Sequence, residues 1–265
     1  MKYLHSRNRA ILREMISTDF KIRYQGSVLG YVWSLLKPLL LFAILYIIFT
    51  YIVPVGKGIE HYPVILLLGV VLWGFFSEVT TIGAGSIVAN GDLIRKISIP
   101  RYLVVLASSF SAFINLGLSL IVVFAFSLFN GLLPHISWLL LIPIIIELFA
   151  FSVGVAFILA TANVKYRDVS YIWEVILQGG FYASAIIFPI SLVPSDLRIW
   201  FFLNPVVQII QDARYALVPV SGNVTIWQLA ESKFLKLIPF AVIILICILG
   251  FTYFKRRSKY FAEDI

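Results

Sequence analysis

The sequence predicts an all-α polytopic membrane protein with six transmembrane helices, and three observations support this. Of its 265 residues 61% are hydrophobic and 13% are charged, whereas soluble domains are roughly 45 to 50% apolar and about 25% charged. Six apolar runs can each cross roughly 30 Å of hydrocarbon, which takes about 20 residues. The third observation is an uneven distribution of cations between the runs. The predicted spans are 30–53, 63–89, 103–129, 138–162, 171–189 and 237–254.

The first predicted element is the segment 1–29, which precedes the first span. Lys21 and Arg23 alternate here with apolar and aromatic side chains such as Tyr24. This pattern favours an amphipathic helix that lies on the membrane surface, with its cations at the lipid headgroups. The segment is too long and too basic for a cleaved signal peptide, so we expect an interfacial helix.

The cations between the spans predict the orientation. Fifteen of the 21 Lys and Arg residues fall on one side of the six spans, five fall on the other, and Lys37 lies within the first span. Because cytoplasmic loops collect Lys and Arg, both termini are predicted to be cytoplasmic. The same rule accounts for the net charge of +8, so no nucleic-acid partner is implied.

The segment 199–218, between the fifth and sixth spans, is apolar enough to cross but is interrupted by Asn204 and Pro205. A further crossing would also move the C-terminal cations to the outer side of the membrane and place polar side chains in lipid. We therefore predict a pair of short outer helices that re-enter the membrane and are shielded by protein. The alternative is an external amphipathic hairpin on the membrane surface. The polar side chains in question are Gln208, Gln211, Asp212 and Arg214.

A candidate translocation lumen follows from polar and aromatic side chains inside the spans. In the fifth span Glu174, Gln178 and Tyr182 recur every four residues, beside Phe181. Rings with polar tips offer flat apolar surfaces and hydrogen bonds together, which suits sugar rings. Aromatic belts facing lipid are the alternative for the first two spans. Those spans contribute Phe42, Tyr46, Phe49, Trp73 and Phe76 to the prediction.

Other polar patterns predict no chemistry of their own. A stripe of Ser108, Ser111, Asn115 and Ser119 in the third span is more typical of helix packing than of a pore. The three histidines are scattered and Cys247 is the single cysteine, so neither a metal site nor a cofactor is expected. No Gly-x4-Gly-Lys-Ser/Thr phosphate loop is present. We expect one transmembrane domain over 1–265 that hydrolyses no ATP itself.

Four stretches resemble one family, the membrane-spanning subunits of ABC-2 type polysaccharide exporters for O-antigen, capsule and teichoic acid. The first runs from Asp19 to Pro38 and contains Arg-Tyr, Ser-x-Leu-Gly and Trp before the proline, although Lys37 departs from the pattern. The others are Asn90 to Arg101; Asn163 to Asp168, continuing to Phe188-Pro189 and Asn204-Pro205; and the ending Phe254 to Ile265.

The resemblance implies a homodimer in the bacterial inner membrane that moves lipid-linked polysaccharide outward. Two cytoplasmic ATPase subunits would bind the ATP and Mg²⁺, and the canal would run between the first and fifth spans of both protomers. The loop Asn90 to Arg101 would couple the chain to the ATPase, although plain positive-inside anchoring would use the same cations. The coupling residues would be Asp92, Arg95, Lys96, Pro100 and Arg101. The resemblance also implies that the broken outer segment forms a gate at Asn204 and Pro205.

Two alternatives to polysaccharide export remain open. One is an ABC-2 permease for a drug or a small lipid, and a lumen lining suited to sugars argues only weakly against it. The other is an integral membrane transferase, which should show acidic or metal-binding residues clustered at one membrane face. Asp168, Asp196 and Asp212 fall on different loops, so the sequence favours the transport subunit.

Overall fold

The computed structural model describes residues 2–24, 30, 32–53, 55–56, 58–96, 99–218, 223–230 and 232–261, without the side chains of 2–6, 20 and 22–24. All regular structure in these residues is helical. The α-helices are α1 (Lys2–Tyr24), α2 (Val32–Ile47), α3 (Tyr62–Ala89), α4 (Gly91–Lys96), α5 (Tyr102–Phe129), α6 (Leu141–Lys165), α7 (Val169–Ala183), α8 (Ser195–Phe201), α9 (Pro205–Leu217), α10 (Ile226–Leu229) and α11 (Lys233–Arg257).

Five helical segments of the described chain are long and apolar enough to cross a membrane. They agree closely with five predicted spans, so the chain is a multi-pass membrane protein. A π-helical turn, Ile48–Ile52, extends α2, and a 3-10 turn, Ile136–Leu140, precedes α6. The five segments are Val32–Ile52, Tyr62–Ala89, Tyr102–Phe129, Ile136–Lys165 and Lys233–Tyr260.

The segment predicted as the fifth span, 171–189, contains a shorter helix than expected. The helix α7 has 15 residues, about 22 Å at about 1.5 Å per residue. It ends at Ala183 because the backbone of Ala185 turns into the left-handed region, with φ of 50°, which is a common way to end a helix. Pro189 also disfavours a helical conformation for the residue before it.

The helix α3 forms the centre of the bundle. In its most apolar stretch 72% of the residues are buried, and the helix packs against α5 and α6. The helix α6 also packs against α11, where Gly250 lies so close to the Gly154 carbonyl that an added Cβ would overlap it. The helix α2 is different, since only 6% of its span is buried. Most of the apolar surface of α2 is therefore not covered by the rest of the described chain.

The N-terminal helix α1 packs against α5, near the start of that helix. Asn8 Nδ2 lies 3.5 Å from the hydroxyl of Tyr102, and Met15 packs against the hydrophobic core. Arg13 and Lys21 are exposed on this helix. The side chain of Arg23, which we predicted to lie at the lipid headgroups, and that of Tyr24, which we assigned to the same interfacial helix, are outside the described residues. The described part of α1 thus has the amphipathic arrangement expected of an interfacial helix.

Candidate translocation site

The helix α7 presents a polar face at the surface of the bundle. Glu174 and Gln178 are exposed, and Tyr182 is 65% exposed. Their spacing of four residues places them on one side of the helix. A carboxylate is costly against lipid at membrane depth. This face therefore suits a water-filled space or a protein partner better than hydrocarbon.

The side of α7 that borders this polar face packs on α3 through aromatic rings. Phe181 lies edge-on to Trp73, with ring centroids 6.2 Å apart, and also contacts Tyr182 at 5.4 Å. Trp73 is 8% and Phe76 is 5% exposed. The two side chains predicted for a lumen on the second span thus lie in the core of the bundle. There Trp73 contacts α7 through Phe181, and Phe76 contacts it through Trp173, with ring centroids 6.2 Å apart.

A polar contact also fixes α7 to α3. Trp173 Nε1 donates a hydrogen bond of 2.9 Å to the Thr80 hydroxyl. Such a buried polar link holds the rotation of α7 about its own axis, so the side of the helix that faces outward is determined.

The aromatic side chains predicted on the first span are partly buried. Phe42 stacks on Tyr46 with centroids 5.8 Å apart and meets Phe126 of α5 edge-on at 5.5 Å. Phe49 lies in the π-helical turn after α2 and packs against the same core. These rings join α2 to α5, and most of the remaining surface of α2 is apolar and exposed, with Lys37 as an exposed cation within it.

The Asn204-Pro205 break separates two short helices, α8 and α9. The side-chain oxygen of Asn204 accepts a hydrogen bond of 3.0 Å from the Val206 amide, and Pro205 occupies the first turn of α9. Asn and Pro are favoured at these positions because the cap satisfies a free amide and proline has none. The break is thus a well-defined helix start. Asn204 Nδ2 also lies 3.5 Å from the Ser184 hydroxyl, next to the end of α7.

A buried arginine fastens α9 to the segment that follows α7. Arg214 is 1% exposed and donates to the carbonyls of Ala185 at 2.8 Å, Ile186 at 2.5 Å and Ile65 at 3.3 Å. The Tyr62 hydroxyl donates to the next carbonyl, that of Ile187, at 2.7 Å. Three consecutive carbonyls are thus held by side chains from α9 and α3. The sequence indicated only that Arg214 needs shielding from lipid.

A polar cluster, which sequence reasoning missed, lies between α6 and α9. Gln208 Nε2 donates to Asp212 Oδ2 at 2.6 Å, and Gln208 and Gln211 are fully buried. Glu147 of α6 is close enough to interact with both Gln208 and Asp212. The sequence separation of Glu147 and Asp212 hid this proximity. Elsewhere in the bundle, Glu78 of α3 accepts a hydrogen bond of 2.9 Å from Asn115 of α5.

The serine and asparagine stripe of the third span lies inside the bundle. Ser108, Ser111, Asn115 and Ser119 are all buried on α5. Ser108 donates to the carbonyl of Val105, one turn earlier. These contacts are the helix packing that the sequence favoured over a pore.

The loop predicted to couple to an ATPase folds as the short helix α4 at the opposite end of the bundle from α9. Asp92 lies in its first turn and Arg95 and Lys96 in its last, which matches the helix dipole. Arg95 and Lys96 are exposed, Pro100 follows the helix, and Arg101 precedes α5. Three of the predicted coupling residues thus lie on α4, and the other two lie just before α5.

The fold and the site define a class: a multi-pass helical membrane protein with an exposed polar helix face and a short charged helix between two spans. Within the described residues, no group of three or more His, Cys, Asp or Glu side chains could hold a metal ion. The profile of ABC-2 type transporters matches residues 12–218. The chain belongs to the ABC-2 type transporter family.

Three similar proteins are export permease or transport proteins. The O-antigen export system permease protein RfbA of Klebsiella pneumoniae is 28% identical over 254 residues, which cover 96% of this chain and 94% of that protein. A second Klebsiella pneumoniae RfbA is 30% identical over 205 residues, or 77% of this chain and 78% of that protein. The polysialic acid transport protein KpsM of Escherichia coli is 26% identical over 222 residues, covering 80% and 83%.

Proposed function

We propose that this chain is the transmembrane subunit of an ATP-driven exporter of lipid-linked polysaccharide of the O-antigen, capsule or teichoic acid type. It moves this substrate from the cytoplasmic to the outer side of the bacterial inner membrane. The similarity to O-antigen and polysialic acid transport proteins supports the substrate class. The observation that carries the proposal is the exposed polar face of α7, formed by Glu174, Gln178 and Tyr182. At membrane depth, such a face needs a water-filled space or a protein partner.

The proposed topology has six crossings in one domain over 1–265, with both termini in the cytoplasm. The helix α7 and the six residues after it, Ser184 to Pro189, make the fifth crossing. The helices α8 and α9 then re-enter from the outer side as the gate, with Asn204 and Pro205 at the turn between them. Burial of α9 against α3 and α6 supports this, because broken helices at membrane depth need cover from protein.

The proposed active unit is a homodimer in which α2 and α7 of both protomers surround the canal. Two features of the protomer support this. The span of α2 is 6% buried, and α7 exposes a carboxylate next to aliphatic side chains. A second copy would cover the apolar surface and leave the polar face of α7 to a shared space. In that space Phe42, Tyr46 and Tyr182 would offer rings to passing sugars.

The energy comes from two cytoplasmic ATPase subunits that dock on α4. Their bound ATP and Mg²⁺ are the only cofactors that the proposed transport needs. Arg95, Lys96 and Arg101 would contact the ATPase, with Asp92 and Pro100 fixing the start and end of the charged turn. Movement of α4 would pass directly to α3 and α5, since it connects them. ATP binding would thus shift the bundle between two states.

A purification experiment tests the assignment as a transport subunit. The tagged full-length chain, expressed with the ATPase encoded in the same organism, should be recovered as a complex that hydrolyses ATP. Recovery of the chain alone from membranes that contain the ATPase would contradict the proposal.

An export assay tests the canal. Glu174→Ala and Tyr182→Ala should each lower export of the glycan severalfold, since each removes a group from the polar face of α7. Ile146→Ala is the matched control because Ile146 is 60% exposed on the apolar surface of α6. Dimer formation and ATPase capture should stay unchanged in all three. Normal export by both α7 variants would refute the assignment of α7 to the canal.

A further inference from the structure

A second candidate site is a cavity of about 1160 Å³ at the end of the bundle that carries α4. It lies between α4, the start of α5 and the last turns of α11, and shares no lining residue with the exposed faces of α2 and α7. Its wall on α11 has no part in the proposed transport. The lining residues are Ile94, Arg95, Lys96, Ile99, Pro100, Arg101, Tyr102, Phe251, Phe254, Lys255 and Ser258.

The charge of this cavity indicates an anionic ligand. Four of its lining residues, Arg95, Lys96, Arg101 and Lys255, are cations, and the described lining includes no carboxylate. None of the four forms an ion pair with another described residue. Like charges that line one cavity repel each other, and an anion between them removes that repulsion.

The apolar part of the cavity indicates that the ligand is a lipid. Phe254 forms a floor that is 2% exposed, packed on Phe157 with centroids 4.9 Å apart. Above it, Ile244, Ile248 and Phe251 are each about half exposed on α11. Their spacing, continued to Lys255, places all four residues on one side of the helix. An exposed apolar stripe thus runs along a membrane span and ends at the cations.

We propose that the cavity binds the phosphate headgroup of an anionic membrane phospholipid, with an acyl chain along the α11 stripe. Basic pockets between spans on the cytoplasmic side are suited to such headgroups. The site goes beyond the proposed transport function, because this lipid is a resident of the bilayer that bridges α4 and α11. It would fix the helix that contacts the ATPase relative to the last span.

Lipid binding to the purified full-length chain tests the proposal. Native mass spectrometry with added phosphatidylglycerol should detect binding that phosphatidylcholine does not reproduce. Lys255→Gln should weaken phosphatidylglycerol binding about fivefold, as expected for the loss of one cation near a lipid phosphate. Arg256→Gln is the matched control, since Arg256 is the next exposed cation on α11 but does not line the cavity. It should change binding less than twofold.

Two arms separate the possible sources of the phosphate and of any defect. Glycerol 3-phosphate at the same concentration should not displace phosphatidylglycerol, because it lacks the acyl chains; displacement would overturn the assignment to a lipid. Lys255→Arg keeps the charge and should retain binding. Loss of binding in Lys255→Arg as well would show a packing defect and overturn the proposal.

Unchanged phosphatidylglycerol binding by Lys255→Gln would also overturn the proposal. If this variant in addition captured less ATPase, the cavity would be a protein interface and not a lipid site.

Discussion

Replacement of Arg214 by Met should release the segment after α7 from α9. Methionine keeps much of the apolar length of the side chain but donates no hydrogen bond. The carbonyls of Ala185 and Ile186 would then lose their partner in the protein interior. Arg214→Met should therefore loosen the connection between the candidate canal helix and the candidate gate.

The size of the effect follows from those two carbonyls. A buried polar group without a partner costs about 1 to 3 kcal/mol, so two cost about 2 to 6 kcal/mol. The third acceptor, Ile65, adds less because its bond is longer, at 3.3 Å. Even about 2 kcal/mol corresponds to roughly 30-fold faster local opening. Arg198→Met is the matched control, because Arg198 also donates to two carbonyls but is only partly buried, where water replaces them.

Hydrogen exchange followed by mass spectrometry measures the opening directly. Peptides that contain Ala185, Ile186 and Ile187 should exchange at least about 30-fold faster in Arg214→Met, and those near Arg198 should change by less than about fivefold in Arg198→Met. Peptides from α5 serve as the internal reference. If exchange at Ala185 to Ile187 is the same in Arg214→Met as in the parent, the three hydrogen bonds do not hold this segment.

Two other predictions concern helix packing and the ATPase contact. Gly83→Ala would place a methyl group 2.6 Å from the Ala156 Cβ. This overlap should destabilise the purified protein by about 1 to 3 kcal/mol. Gly85→Ala is the control, because its methyl group would meet no atom within 4 Å and should not destabilise the protein. Thermal unfolding in one detergent compares the two. Charge reversal at Arg95 and Lys96 should lower ATPase capture about tenfold, through lost charge complementarity, while reversal at Lys233 should leave it unchanged. If the Arg95 and Lys96 reversal captured as much ATPase as the Lys233 reversal, α4 would not be part of the docking surface.

The long spans could be predicted from the sequence because their signal is local. Long, mostly apolar runs define α3, α5, α6 and α11, and their observed bounds differ from the predicted ones by a few residues. The start of α9 was also visible, since Asn204 and Pro205 are a cap and a first-turn residue within one short motif. Local chemistry determines each of these elements.

The end of α7 could not be predicted, because the residue that holds it is distant in sequence. Ala185 to Ile187 read as a continuing apolar helix, yet their carbonyls bond to Arg214 and Tyr62. The buried position of Trp73 was hidden for a different reason. Since α3 is apolar on all sides, its sequence contains no period that distinguishes a core face from a lumen face.

If α7 contributes to the fifth crossing, as in the proposed topology, its short length has a consequence for the surrounding lipid. A helix of about 22 Å is shorter than the hydrocarbon layer of roughly 30 Å. A bilayer accommodates such a mismatch by thinning next to the helix. A polar chain that leaves along α7 would therefore cross a thinner apolar barrier than elsewhere in the membrane. The rate of export should then depend on the acyl-chain length of the host membrane as well as on the residues of the canal.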